Sequence, residues 1–275
     1  MRGSSARRSC AKTEGSAVEV REATPDSSAA AHVELIRRPE GLTLTGNGME
    51  VRGDFARMLS RVRPGKLERE LLVRAAKVKG TASPIAVDAT AGLGEDSFLL
   101  AAAGFQVRMY ESDPAIAALL RDALARAKAD PSLAGIACRM ELYEEDSVRA
   151  MAALAETGGR ASEGAVATDP AAAMDEQAPG PAFGTHAPDV IYLDPMFPER
   201  RKSAAVKKKF QLIHHLEKPC SNEEEMLLAA IRANPRKVVV KRPAKGPYLA
   251  NIKPSYSIAG KAVRYDCITP ASVKL

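Results

Sequence analysis

Five consecutive residues, Asp194-Pro195-Met196-Phe197-Pro198, combine an acid, a stiff turn and an aromatic ring. The four before them, Val190-Ile191-Tyr192-Leu193, are apolar and β-favouring, which predicts a short buried strand. Pro195 has no N–H for a ladder and biases Asp194 towards extended backbone, so the strand stops there. In open α/β sheets, ligands bind at the C-terminal ends of strands. At such an edge the Asp194 carboxylate and the Pro195 carbonyl could accept the hydrogens of a planar amine, with Phe197 stacked on its ring. The plainer reading is a proline-stopped strand with a capping aspartate, and so short a motif does not separate the two.

A second candidate site is Asp88-Ala-Thr-Ala-Gly92-Leu-Gly94. Its glycines let the backbone approach a ligand, and the helix that follows aims N–H groups at it. Ser97 stands where a dinucleotide fingerprint has its third glycine, which disfavours a dehydrogenase. Asp88 also makes the loop acidic. A cationic ligand without a pyrophosphate fits better, and S-adenosyl-L-methionine has both properties. Otherwise the segment is a tight strand–helix turn. Glu111 ends the next strand about 20 residues on, where an acid commonly accepts both ribose hydroxyls of an adenosine ligand; a solvated strand-end acid is the alternative. Glu95-Asp96 opens the first helix, either as a complement to its dipole or beside the ligand's amino-acid moiety. Asp146-Ser147 could meet an adenine amine, but by itself reads as a helix N-cap.

Arg200, Arg201, Lys202, Lys207, Lys208 and Lys209 flank Phe197, and Lys241-Arg242 closes a later strand. Such runs are usually solvated faces, yet their position beside the proposed pocket suits phosphate contacts. Neither the histidines nor Cys10, Cys138, Cys220 and Cys267 have the spacing of a metal site, so no metal is expected.

The elements that must position these residues follow from periodicity. Residues 1–32 are Ser, Ala and charge, and are expected to be disordered. Residues 33–80 suggest a small α+β extension, with a hairpin turning at Gly46-Asn47-Gly48 and helical spacing over 55–63 and 67–78. From residue 84, strands are expected at 85–88, 105–110, 136–142, 189–193 and 238–240. They alternate with helices over 95–103, 114–129, 147–154 and 222–233. A hairpin of 256–258 and 262–268 closes the chain. Residues 156–187, rich in Gly, Ala and Pro, read as a disordered insertion. Strands alternating with helices imply a doubly wound, mostly parallel sheet over 84–275.

With 45% hydrophobic residues the chain can bury a core, and with 4% aromatics and no tryptophan that core is expected to be mainly Ala, Leu, Val and Ile. The net charge of +6 leans towards an anionic partner. There is no apolar run of membrane-spanning length and no secretory h-region, so a cytoplasmic protein with reduced thiols is expected.

The segments Asp88–Gly94, Val107–Glu111, Tyr192–Pro198, Lys202–Lys208 and Val238–Pro243 together resemble the RsmJ family, in order and spacing. These are bacterial 16S ribosomal RNA guanine-N2 methyltransferases. The similarity covers about residues 40–268 apart from 156–187. It implies the Rossmann-like class I methyltransferase fold, with a seven-stranded sheet and a small N-terminal extension, and S-adenosyl-L-methionine as cofactor. It further implies ribosomal RNA or the small ribosomal subunit as partner, and ligand contacts at Glu95-Asp96, Glu111-Ser112, Asp146-Ser147 and Asp194. Glu95, Ser112 and Asp146 depart from the family's usual residues, and Met196 replaces a proline common in amino-methylating enzymes. Adenine N6 or a protein glutamine is the rival acceptor, and a non-catalytic RNA-binding module the rival class.

Overall fold

The structure is a computed structural model that describes residues 33–46, 48–158, 187–195 and 223–273. Its centre is a seven-stranded sheet. In chain order the strands are β4 (Ile85–Asp88), β5 (Gln106–Tyr110), β6 (Met140–Tyr143), β7 (Val190–Leu193), β8 (Lys237–Pro243), β9 (Tyr256–Ala259) and β10 (Val263–Ile268). The spatial order is β6-β5-β4-β7-β8-β10-β9. All neighbours are parallel except β10, which runs antiparallel to β8 and β9. From β4 the chain winds outward through β5 and β6. It then returns to the other side of β4 with β7 and β8. The reversal point of a doubly wound sheet, where ligands bind, therefore lies between the C-terminal ends of β4 and β7. Those ends are Asp88 and Leu193-Asp194.

Helices cover both faces, so the central strands read as continuous apolar runs. Val190 to Leu193 are at most 1% exposed. One face packs under α1 (Leu71–Ala76), α2 (Glu95–Ala102), α3 (Pro114–Ala129) and α4 (Ala134–Ala137), with Phe98, Leu99, Leu120 and Met109 fully buried. The other packs under α5 (Ser147–Gly158) and a helix α6 (Glu223–Arg232), through Met151, Leu227 and Ile231. Asp113 caps α3, accepting the N–H groups of Ala115 and Ile116, with Pro114 at the first helical position.

A separate three-stranded sheet, β1 (Glu34–Arg38), β2 (Gly41–Gly46) and β3 (Met49–Val51), docks Leu44 and Val51 on Ile116 and Leu119 of α3. Asp122 pins this contact. It accepts the Leu42 N–H at 3.0 Å, Arg126 Nε at 2.8 Å and Arg37 at 2.9 Å. Burial favours the protonated acid, but the hydrogen bonds from Arg126, Leu42 and Arg37 outweigh it and hold the carboxyl below its ordinary range. The stabilisation is thus full above about pH 4. It is lost as pH falls through the depressed folded-state value. Asp122→Asn is expected to cost about 1–3 kcal/mol at pH 7 and to flatten the acid limb of stability, as measured by urea unfolding from pH 7 down to pH 3.

Four elements differ from the sequence reading. The strand expected at 136–142 starts only at Met140. Ile136, although β-branched, lies in α4, where the carbonyls of Asp130 and Leu133 draw the following N–H groups into a helical turn. The helical spacing over 55–63 and 67–78 yields only 3-10 turns at Phe55–Met58 and Leu67–Arg69 and the short α1. The C-terminal carbonyls of α1 are closed by Lys237 Nζ, at 2.8 Å from Ala75 O and 3.0 Å from Lys77 O. β1 is not apparent from the sequence because Glu34, Arg37 and Arg38 break its alternation. Helix α5 runs to Gly158, into the stretch assigned to the insertion. Residues 159–186 of that insertion and the N-terminal 32 residues lie outside the described residues. Among the described residues, no helix is long and apolar enough to cross a membrane.

Candidate active site

The loop after β4 is tied to both neighbouring strands. Ala89 N–H donates to Tyr192 O of β7 at 3.0 Å, and Ala91 N–H to Tyr110 O of β5 at 3.1 Å. The Asp194 N–H donates to Thr90 Oγ1 at 2.7 Å, which joins the glycine loop directly to the Asp-Pro turn. Glu111, just past β5, accepts Gly92 N–H at 3.0 Å with one oxygen and Asp113 N–H at 2.8 Å with the other. Gly92 and Gly94 have φ of 53° and 75°, which glycine adopts without strain. A Cβ on Gly94 would lie 2.7 Å from Leu120 Cδ1 and 3.1 Å from Phe55 Cζ, whereas one on Gly92 would meet nothing within 4 Å. Gly94 lets the loop pack on the core, and Gly92 presents bare backbone to open space.

Burial pushes three acids of this edge towards protonation. Asp88, 1% exposed, rises to about 7 despite hydrogen bonds from Ser97 Oγ at 2.5 Å and Thr90 N–H at 3.1 Å. Glu111 is raised by burial against the backbone N–H groups of Asp113 and Gly92. Asp194 is raised by burial, with Lys241 opposing. An acidic, poorly hydrated edge of this kind favours a cationic ligand, whose arrival would return the carboxyls to their charged form.

Lys241 stands at the centre. Its Nζ is 2.8 Å from Asp96 Oδ2 and 2.7 Å from Asp194 Oδ2. Asp96 Oδ2 also accepts the Tyr192 hydroxyl at 2.6 Å. The sequence groups Lys241 with Arg242 as phosphate contacts at this sheet edge, but the structure pairs Lys241 with two acids and buries Arg242. Successive residues of β8 face opposite sides of the sheet. That turns Lys241 onto α2 and β7, and Arg242 into the other face. Arg242 is 3% exposed, donates Nε to Pro247 O at 3.0 Å and lies 3.8 Å from Glu223.

Asp88, Gly92, Gly94, Asp96, Glu111 and Asp194 thus converge on one sheet edge, and Pro195 follows, buried. Glu95 opens α2 and Ser112 is exposed beside Glu111. Asp146 serves as the N-cap of α5, its Oδ1 accepting Val148 N–H at 2.8 Å and Arg149 N–H at 3.1 Å, with Ser147 buried beside it. Met196, Phe197, Arg200, Arg201, Lys202, Lys207 and Lys208 lie outside the described residues. The bonds of Tyr192 to Asp96, Thr90 to Asp194 and Ser97 to Asp88 are not foreshadowed in the sequence. Tyr192 was hidden in an apolar run, and strand alternation is the signal that could have set its hydroxyl on the α2 face.

Comparison with known proteins bears on what this edge serves. The family model described as "Putative SAM-dependent methyltransferase" matches residues 23–171 and 170–270. A ribosomal RNA small subunit methyltransferase J from Neisseria meningitidis serogroup C is 38% identical over 229 residues, 83% of this chain and 80% of that protein. The chain belongs to the RsmJ family of SAM-dependent methyltransferases. A second RsmJ relative, from Nitrosococcus oceani, is 40% identical over 206 residues, covering 75% of this chain and 70% of its own length. The crystal structure of a SAM-dependent methyltransferase from Neisseria gonorrhoeae superposes with a TM-score of 0.64 at 29% identity, covering 91% of this chain and 88% of that one. The RsmJ chain is therefore an enzyme with the class I fold, and its cofactor is S-adenosyl-L-methionine. The residues present fit that cofactor: the Gly92 backbone borders open space, and the acids around it suit a ligand that carries positive charge and no phosphate.

Proposed function

We propose that the chain methylates the exocyclic N2 of a guanine in small-subunit ribosomal RNA, acting in the cytoplasm. The observation that supports this reading is the bond from Asp194 N–H to Thr90 Oγ1, which ties the Asp-Pro turn to the glycine loop. In this reading the turn would accept the amine beside the cofactor. The names of the RsmJ relatives, ribosomal RNA small subunit methyltransferases, supply the substrate class.

Asp88, Gly92, Gly94, Glu95, Asp96, Glu111, Ser112, Asp146 and Ser147 would hold the cofactor, with Glu111 towards its ribose, Asp96 towards its amino-acid end and Asp194 at its border with the acceptor. Bound there, it supplies a methyl group activated by a sulfonium. The guanine N2 lone pair is delocalised into the ring. The Asp194 carboxylate and the Pro195 carbonyl would hold its two hydrogens and turn the lone pair out of the ring plane. Phe197 would stack on the extruded base, and Arg200, Arg201, Lys202, Lys207 and Lys208 would contact phosphates. The N2–methyl bond would form as the methyl–sulfonium bond breaks, leaving a neutral thioether. N2 would then shed one proton to the Asp194 carboxylate or to water. No covalent nucleophile is needed, so rate comes from positioning and electrostatics. In this reading residues 84–275 are the catalytic domain, 33–80 an extension and 156–187 an insertion.

The test is methylation of 16S ribosomal RNA, free and in the assembled small subunit, with isotopically labelled cofactor, followed by mapping of the modified base. Label on guanine N2 is expected. Label on adenine N6 or on protein glutamine overturns the acceptor assignment. Absence of cofactor binding in calorimetry overturns the enzyme in favour of an RNA-binding module.

A further inference from the structure

Lys241 joins three elements at one point. Its ammonium bridges Asp96 of α2 and Asp194 at the end of β7, and Tyr192, 1% exposed, holds the same Asp96 oxygen from below. The Lys241 side chain is only 25% exposed, and those of Asp96 and Asp194 are 20% and 30% exposed. Two carboxylates so placed repel each other, and one takes up a proton unless a cation stands between them. The groups that act on Asp194 are Asp96 from α2, Lys241 and Arg242 from β8, and the buried Asp88 of β4 and Tyr192 of β7. Burial and Asp96 favour its protonation; Lys241 and, more weakly, Arg242 oppose it. Although burial disfavours the Lys241 cation, the two carboxylates more than compensate and hold it charged far above its ordinary range. A protonated Asp194 would present an O–H donor where an acceptor amine requires a lone pair.

We propose that Lys241 is a positioning residue for methyl transfer, clamping Asp194 through Oδ2 so that Oδ1 is left, ionised and oriented, for the acceptor amine. The inference rests on the function proposed above. Lys241 does not touch the reacting atoms; it acts through Asp194. Withdrawing its ammonium to bind a phosphate would leave two adjacent carboxylates without their shared cation, so the inward role and an RNA contact exclude each other.

Two variants test this. K241M removes the charge and keeps most of the length, and K241R restores a cation. In the ligand-free protein, the carboxyl carbon of Asp194 is followed by NMR against pH. Its titration is expected to move up by about one unit in K241M and back towards wild type in K241R. In turnover on 16S ribosomal RNA, K241M is expected to lose on the order of 100-fold in kcat at neutral pH, with its KM for RNA within about twofold of wild type. The acid limb of its kcat–pH profile moves to higher pH, and K241R regains part of the rate. An unmoved Asp194 titration overturns the proposal, as does a raised KM for RNA with unchanged kcat, which is the signature of a phosphate contact. If K241M does not fold, K241R still decides. A guanidinium in the same place must keep Asp194 titrating near its wild-type value. Failure of the wild-type protein to methylate ribosomal RNA overturns the substrate assignment alone, since the Asp194 titration uses no RNA.

Discussion

Asp194→Ala is expected to bind S-adenosyl-L-methionine, melt within a few degrees of wild type and transfer methyl groups on the order of 1000-fold more slowly. The fold survives because what holds the turn is mostly backbone. The Asp194 N–H bond to Thr90 Oγ1 persists in alanine, as does the Ala89 N–H bond to Tyr192 O. Lys241 is not orphaned either, since Asp96 still accepts its ammonium at 2.8 Å. What goes is the carboxylate that would hold the acceptor amine, and with it the interaction that shapes nitrogen for attack. Asp194→Asn separates geometry from charge. Its amide oxygen can still accept a hydrogen, but the ion pair with Lys241 is gone, so an intermediate loss of about 10–100-fold is expected. Single-turnover assays with labelled cofactor on small-subunit ribosomal RNA read both variants, and calorimetry checks cofactor affinity. Wild-type turnover by Asp194→Ala would remove Asp194 from the reaction.

The frame of the site was legible because it rests on local signals. Pro195 marks where β7 must end, and Gly92 and Gly94 mark where the loop must turn. Asp113-Pro114 announces α3 by its cap. Once those strands alternate with helices, a parallel sheet and its reversal point follow, and Asp88 and Asp194 fall side by side. What was not legible depends on which face a side chain takes. Lys241 and Arg242 are adjacent basic residues, and in a list of residues they form a patch. In β8 they point to opposite faces, one into an ion pair with two acids and the other beneath the turn at Pro247. Tyr192 is similar, since an apolar strand does not reveal that its hydroxyl meets Asp96. The late start of β6 has another cause. A turn of helix after α3 claimed Ile136, and tertiary packing of Leu133 and Ala137 overrode local preference.

The two loop glycines should fail in different ways. Both have positive φ, so alanine costs each about 1–2 kcal/mol of backbone strain. For Gly94 there is a second term. The new methyl would lie 2.7 Å from Leu120 Cδ1 and 3.1 Å from the Phe55 ring, which itself stacks on Phe98 at 5.0 Å. All three side chains are at most 2% exposed, so the neighbours have no free volume into which to retreat. Overpacking adds about 1–3 kcal/mol, and Gly94→Ala is therefore expected to be destabilised by roughly 2–5 kcal/mol in total. Gly92→Ala bears only the backbone term, because its methyl would enter open space. If that space receives the cofactor, the methyl obstructs it, and the Kd for S-adenosyl-L-methionine rises by on the order of 10-fold or more while stability falls by only the backbone term of about 1–2 kcal/mol. Urea unfolding and calorimetry on the pair separate the two effects. A Gly92→Ala protein that binds cofactor as tightly as wild type would move the ligand away from this loop, and with it the assignment of Glu111, whose carboxylate holds the Gly92 N–H.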